Sequence, residues 1–262
     1  LSVPLILLFA SLAAAQGTSD KGPSMGAGTG SNGGPTTGAP AQSSLDLPMM
    51  PPKAPIMPPA QVPEEDDDGD DPRDTPPPTI YGEEIDTESD SIYYVIDISY
   101  SMMTDRQSYT TLDQTIGSGP RIDRAKAELI KSLRGLSNNF RFNVIAYDCS
   151  TSSWQSSMQE ATDGNKNGAI AWVTALQPRG ATGTGPATAL ALAEKTNMSV
   201  VLLTDGSPNC GASGTQGHRT MIASANSQGA SINVFGIAAT GQYRAFCQAV
   251  AADSGGSYFD VP

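Results

Sequence analysis

Asp97, Ser99 and Ser101 stand two residues apart in the stretch DISYS at 97–101. A second carboxylate, Asp205, follows the apolar run MSVVLLT at 198–204, much as Asp97 follows IYYVI at 92–96. Between them in sequence lies Thr182, in the glycine-rich RGATGTG at 179–185. A buried strand gains nothing by ending in a carboxylate, because an unpaired one is costly to strip of water. Two such carboxylates with neutral hydroxyls between them suit a hard divalent cation, Mg2+ or Mn2+, which prefers oxygen ligands.

The elements that must position these groups alternate along the chain. Apolar, β-branched runs predict strands at 92–98, 141–148, 198–204, 231–239 and 257–261. Amphipathic stretches predict helices at 119–137, 165–176, 185–195, 217–228 and 242–254. In the first helix Pro120 suits the opening position, and Ile122, Ala125, Leu129, Leu133 and Leu136 form the inward stripe. Residues 152–157 leave no room for a crossover helix, so they are expected to return as a short antiparallel edge strand beside 141–148. Continuous apolar strands between helices predict an α/β fold, a doubly wound and mostly parallel sheet covered on both faces. Ligands in such sheets bind at the carboxyl ends of the strands, where the winding reverses.

In this order the three elements resemble the metal-ion-dependent adhesion site of the von Willebrand factor A family. That site reads D-x-S-x-S, then a Thr in a glycine-rich loop, then an Asp in T-D-G; here they are DISYS at 97–101, GATGT at 180–184 and TDG at 204–206. The likeness covers about residues 90–262. It implies a Rossmann-like fold in which Ser99 and Ser101 touch the metal through their hydroxyls and Thr182 does so directly or through water. It implies that Asp97 and Asp205 mostly hold metal-bound waters. With few charged ligands the metal keeps net positive charge and can accept a partner's carboxylate at an open position. Tyr100 stands where many members have Gly, which reshapes the rim and leaves the ligand positions intact. Thr184 is an alternative to Thr182, which is preferred because it directly follows the Gly-Ala pair.

The rest of the chain is of a different kind. Of 20 prolines, 15 fall in residues 1–80. Residues 1–15, LSVPLILLFASLAAA, have the apolar core and the Ala13-x-Ala15 ending of a secretory signal, with cleavage expected before Gln16. Residues 16–80 are rich in Gly, Pro and acids, cannot bury enough apolar surface to fold, and are expected to form a stalk. Within it, EEDDDGDD at 64–71 fails as a calcium loop, since the twelfth position is Thr75 instead of Glu.

Composition excludes several function classes. A net charge of −12 argues against nucleic acid. The spacing of Cys149, Cys210 and Cys247 matches no zinc motif, and the single His218 argues against a histidine-based triad. The glycine-rich loop lacks the Gly-Lys-Ser/Thr ending of a phosphate loop. In an oxidising compartment one disulfide is expected. Strands 198–204 and 231–239 should be neighbours, which favours Cys210–Cys247 and leaves Cys149 over. No transmembrane anchor is visible.

The expected function is a secreted, periplasmic or surface-exposed binding module, not an enzyme, that takes a protein or peptide carboxylate through Mg2+. Two alternatives stand beside it: a metal-free structural domain of a surface assembly, and a Mg2+-dependent aspartyl phosphatase. The phosphatase needs a second Asp two residues after its nucleophile as general acid, where this chain has Ser99, and Asp205 has no neighbouring acid.

Overall fold

The computed structural model describes residues 76–262, apart from Glu88 and Leu112. The expected signal segment and nearly all of the stalk lie outside the described residues.

Ahead of residue 90 comes a small antiparallel hairpin, β1 (Thr79–Ile80) with β2 (Glu83–Glu84). Ile80 and Ile85 bury their side chains in the core, and the amide of Tyr81 donates to Glu128 Oε2 at 3.1 Å. Next comes β3 (Ser91–Asp97), buried along its whole length. A short 3-10 helix (Tyr100–Met103) follows it. A second hairpin, β4 (Gln107–Thr110) and β5 (Ile116–Gly119), then leads into α1 (Arg121–Gly135). Pro120 caps α1 one position earlier than expected, and all five residues of the expected stripe are buried.

The chain continues through β6 (Arg141–Tyr147), β7 (Thr151–Ser153), β8 (Gln159–Glu160) and α2 (Asp163–Ala175). It goes on through α3 (Thr184–Ala191), β9 (Ser199–Thr204), α4 (Gly214–Ala225), β10 (Ser231–Ile237), α5 (Gly241–Asp253) and β11 (Tyr258–Val261). α4 ends short of Gly229, because the Asn226 side chain brackets Ala230, accepting from its amide and donating to its carbonyl.

The main sheet has the order β11-β10-β9-β3-β6-β7, with β8 also paired to β6. β3, β6, β9, β10 and β11 run parallel; β7 and β8 are antiparallel to β6. The doubly wound, mostly parallel sheet with an antiparallel edge is therefore present as expected, and the edge strand is Thr151–Ser153.

Alternation along each strand splits the core in two. Ile92, Tyr94 and Ile96 face one side with Val201 and Leu203, under α1 and α2. Tyr93 and Val95 face the other with Val200 and Leu202, under α3, α4 and α5. From β3 the chain crosses to β6 on one side and later returns to β9 on the other. The winding reverses at β3, and the carboxyl ends of β3 and β9 meet there.

Candidate functional site

Asp97 is the last residue of β3 and is fully buried. Its Oδ1 accepts from the amide of Ser99 at 2.8 Å, a tight turn that brings the Ser99 hydroxyl to the strand end. Its Oδ2 accepts from Thr204 Oγ1 at 2.8 Å and lies 3.3 Å from Tyr147 OH. These partners are neutral. Burial first, then the negative charge of Asp205, push the Asp97 carboxyl up to about 7, against the pull of the Ser99 and Thr204 hydrogen bonds.

The same local turn recurs at the end of β9. Asp205 Oδ1 accepts from the amide of Ser207 at 3.2 Å and from its hydroxyl at 2.8 Å. Ser207 Oγ is 3.4 Å from Ser101 Oγ, which is 3.0 Å from Ser99 Oγ. Four expected residues thus fall in one cluster: Asp97, Ser99, Ser101 and Asp205, linked in part through Ser207.

Among the described residues Thr182 makes no hydrogen bond to these four; its backbone ties it to the loop after β9. Its amide donates to Asn209 Oδ1 at 2.8 Å, and its carbonyl accepts from the amides of Asn209 and Cys210 at 2.9 and 3.2 Å. It is buried, and among the described residues its hydroxyl makes no hydrogen bond. The rival Thr184 is otherwise engaged: its Oγ1 lies 3.3 Å from Tyr147 OH and it opens α3. Tyr100, at the rim, is exposed, and its amide donates to the carbonyl of Gly180.

The sequence reading missed four contributors. Ser207 repeats the Asp-x-Ser spacing of Asp97-x-Ser99 and was legible. Tyr147, at the end of β6, read only as a strand residue, and Thr204, at the end of β9, stood within TDG at 204–206 without a role of its own. Arg121 had no signal: its Nη1 donates to Asp205 Oδ2 at 2.9 Å.

The expected disulfide is corrected. The bridge joins Cys149 to Cys210, with α-carbons 5.8 Å apart, and Cys247 is a buried free thiol. The loops after β6 and β9 both reach the Thr182 segment: Gly183 N donates to Asp148 O at 2.7 Å, and Cys210 N to Thr182 O. Cys247 instead lies on the core face of α5 with Phe246, Val250 and Ala251. A β-carbon on Gly206 would come within 2.6 Å of its sulfur.

Among the described residues no three His, Cys, Asp or Glu side chains gather as a metal cluster. The donor set here is of another kind, hydroxyls with two carboxylates. A fully buried Asp97 with neutral partners alone is an uncompensated charge when ionised, and a hard cation beside it would supply the missing positive charge. The residues therefore fit Mg2+ or Mn2+. Ser99, Ser101 and Thr182 would hold it through hydroxyls, with Asp97 and Asp205 supporting bound water. Such a cation would act as a Lewis acid toward an anionic oxygen of a partner.

The model of the von Willebrand factor type A domain matches residues 116–260, which include Thr182 and Asp205 and begin after DISYS. Inter alpha-trypsin inhibitor heavy chain 4 of Mus musculus is 29% identical over 141 residues, 49% of this chain and 13% of its own length. Human von Willebrand factor A domain-containing protein 3A is 33% identical over 106 residues, 39% of this chain and 9% of its own. The chain thus spans only a small part of the length of these relatives.

Two solved structures share the fold. A von Willebrand factor type A protein from Catenulispora acidiphila aligns with a TM-score of 0.50 at 19% identity, covering 66% of this chain and 38% of that one. The pilus adhesin SpaC from Lactobacillus rhamnosus GG aligns at 0.51 and 16%, covering 65% and 28%. With a family match over more than half its length and this sheet order, the chain belongs to the von Willebrand factor type A domain family.

Proposed function

We propose that the chain is an exported binding module, not an enzyme, which captures a protein or peptide carboxylate through Mg2+ or Mn2+ held at Ser99, Ser101 and Thr182. The observation that carries this reading is the buried Asp97. It ends a central strand with neutral hydrogen-bond partners only, beside the hydroxyls of Ser99 and Ser101 and a second carboxylate. That arrangement is costly without a cation and useful with one.

Export draws support from the Cys149–Cys210 bridge, which belongs in an oxidising compartment. Among the described residues no helix is long and apolar enough to cross a membrane. The pilus adhesin that shares the fold is in keeping with a surface role.

A metal-free structural domain is the second reading, favoured by one contact. Arg121 already neutralises Asp205. A thermal-unfolding titration with MgCl2, run beside EDTA, separates the two. The metal reading expects a rise in Tm that saturates with Mg2+ and disappears in Asp97→Ala and in Asp205→Ala, both still folded. No shift at millimolar Mg2+ would leave the structural reading in place.

A further inference from the structure

We infer that Arg121 makes cation binding and carboxylate binding at this site depend on each other, by sharing Asp205 with the cation and leaving the loaded site one surplus positive charge. The inference rests on the metal reading above.

Arg121 reaches the site through the backbone, not through helix periodicity. The β4–β5 hairpin carries the chain out after the 3-10 helix and back, so that the amide of Arg121 donates to Thr104 O at 3.2 Å. This sets the first residue of α1 beside the strand ends. Its side chain is only 18% exposed.

Two arginines and three aspartates meet here, and their pairing is uneven. Arg124 is buried and takes Asp105, with Nη2 2.8 Å from Oδ2 and 3.0 Å from the carbonyl. Arg121 lies 3.8 Å from that same Asp105 oxygen and 2.9 Å from Asp205 Oδ2. Arg124 and Asp105 therefore cancel, and Arg121 belongs to Asp205. With Asp97 ionised, the remaining charges are two carboxylates and one guanidinium, a sum of −1. A divalent cation brings it to +1.

Two consequences have the same sign. Asp205 is already paired, so a cation gains less from it than from an unpaired carboxylate. The guanidinium also repels a second positive charge a few ångströms away in a site largely shielded from water. Cation affinity is therefore held down until an anion arrives. An incoming carboxylate brings the sum back to zero. It can also pair with the guanidinium, which is partly exposed. By linkage, each of the two ligands then tightens the other by the same factor.

The test is Mg2+ binding by titration calorimetry to the full chain, wild type against Arg121→Gln and Arg121→Lys, with and without N-acetyl-Gly-Glu-Gly-amide as the carboxylate probe. Without the peptide, Arg121→Gln should bind Mg2+ at least about tenfold tighter than wild type. Arg121→Lys, which keeps the charge, should stay close to wild type. The peptide should tighten Mg2+ binding in wild type and Arg121→Lys, and do so at least about threefold less in Arg121→Gln. Thermal unfolding in EDTA checks that each variant is folded. Should Arg121→Gln unfold, Arg121→Met, which keeps the aliphatic stem, takes its place with the same expectation. Mg2+ affinity equal to or weaker than wild type in the charge-removed variant overturns the inference while the metal reading stands. No Mg2+ binding to wild type or to any variant overturns the metal reading itself, and the inference with it.

Discussion

Asp97→Asn should make the metal-free domain more stable near pH 8 and insensitive to Mg2+. The substitution keeps the shape and removes the charge. The amide oxygen can still accept from Ser99 N, and the amide nitrogen can donate to the hydroxyls of Thr204 and Tyr147, which rotate to accept. What disappears is the ionisation. The wild-type carboxyl titrates at about 7 when folded, pushed up by burial and by Asp205. An unfolded Asp titrates near 4. The folded form therefore holds its proton more tightly. Its contribution is fully present below about pH 4 and is lost as pH rises through about 7. Three pH units correspond to about 4 kcal/mol.

The assay is urea unfolding in EDTA from pH 4 to 8, read as the difference between wild type and Asp97→Asn so that other titrating groups cancel. The gap should be near zero at the acid end and open toward about 4 kcal/mol in the variant's favour by pH 8. Adding Mg2+ should close it from the wild-type side, by about 1.4 kcal/mol at ten times the dissociation constant. A gap that stays flat with pH, or a variant less stable than wild type at pH 8, would refute the electrostatic reasoning.

Reducing Cys149–Cys210, or replacing both residues by Ser, should cost about 4 kcal/mol for a bridge spanning 61 residues of sequence, seen as a lower urea midpoint in reductant. Gly206→Ala should destabilise by about 2–4 kcal/mol in chemical denaturation, because Gly206 has φ +77° and an added methyl would meet Cys247 Sγ and Tyr243 O. Cys247, its thiol pushed up to about 12 by burial, should react with Ellman's reagent only as fast as the domain opens; immediate labelling of the native protein would contradict its position.

Much of the fold was legible because parallel strands covered on both faces must be apolar at every position. IYYVI and SVVLL have no other use in a chain this polar, and the strands lie within a residue or two of expectation. The β4–β5 hairpin was not legible: QSYT and IGSG are polar or small, and Ile116 is exposed, so no apolar alternation marks them. The β1–β2 hairpin hides for a different reason, since it directly follows the proline-rich segment and is only four paired residues.

The site divides along the same line. Asp97 and Asp205 stood out because a carboxylate after an apolar run demands an explanation. Arg121 did not, since nothing in its local sequence points to Asp205, 84 residues away, and its approach depends on the unread hairpin. The disulfide failed on helix geometry. Neighbouring strands do bring the ends of β9 and β10 together, but residue 247 is on the buried face of α5, so its sulfur points beneath the loop instead of over it.

The correct bridge also explains how a site made of loops holds its shape. The Thr182 segment is not part of the sheet, yet it is fixed from several directions. The amide of Tyr100 donates to Gly180 O, Arg179 N to Ile98 O, Gly183 N to Asp148 O, and Asn209 N to Thr182 O. These bonds tie it to the loops after β3, β6 and β9 in turn. Cys149–Cys210 then closes the last two loops on each other across it. The hydroxyls of Ser99 and Ser207 are each placed by an Asp-x-Ser turn within two residues of a buried strand, and Ser101 is held in the 3-10 helix that follows Ser99. A cation entering such a site has little backbone to order. On the proposed metal reading its affinity would then be decided mainly by charge, with Asp97 and Asp205 attracting it and Arg121 opposing it.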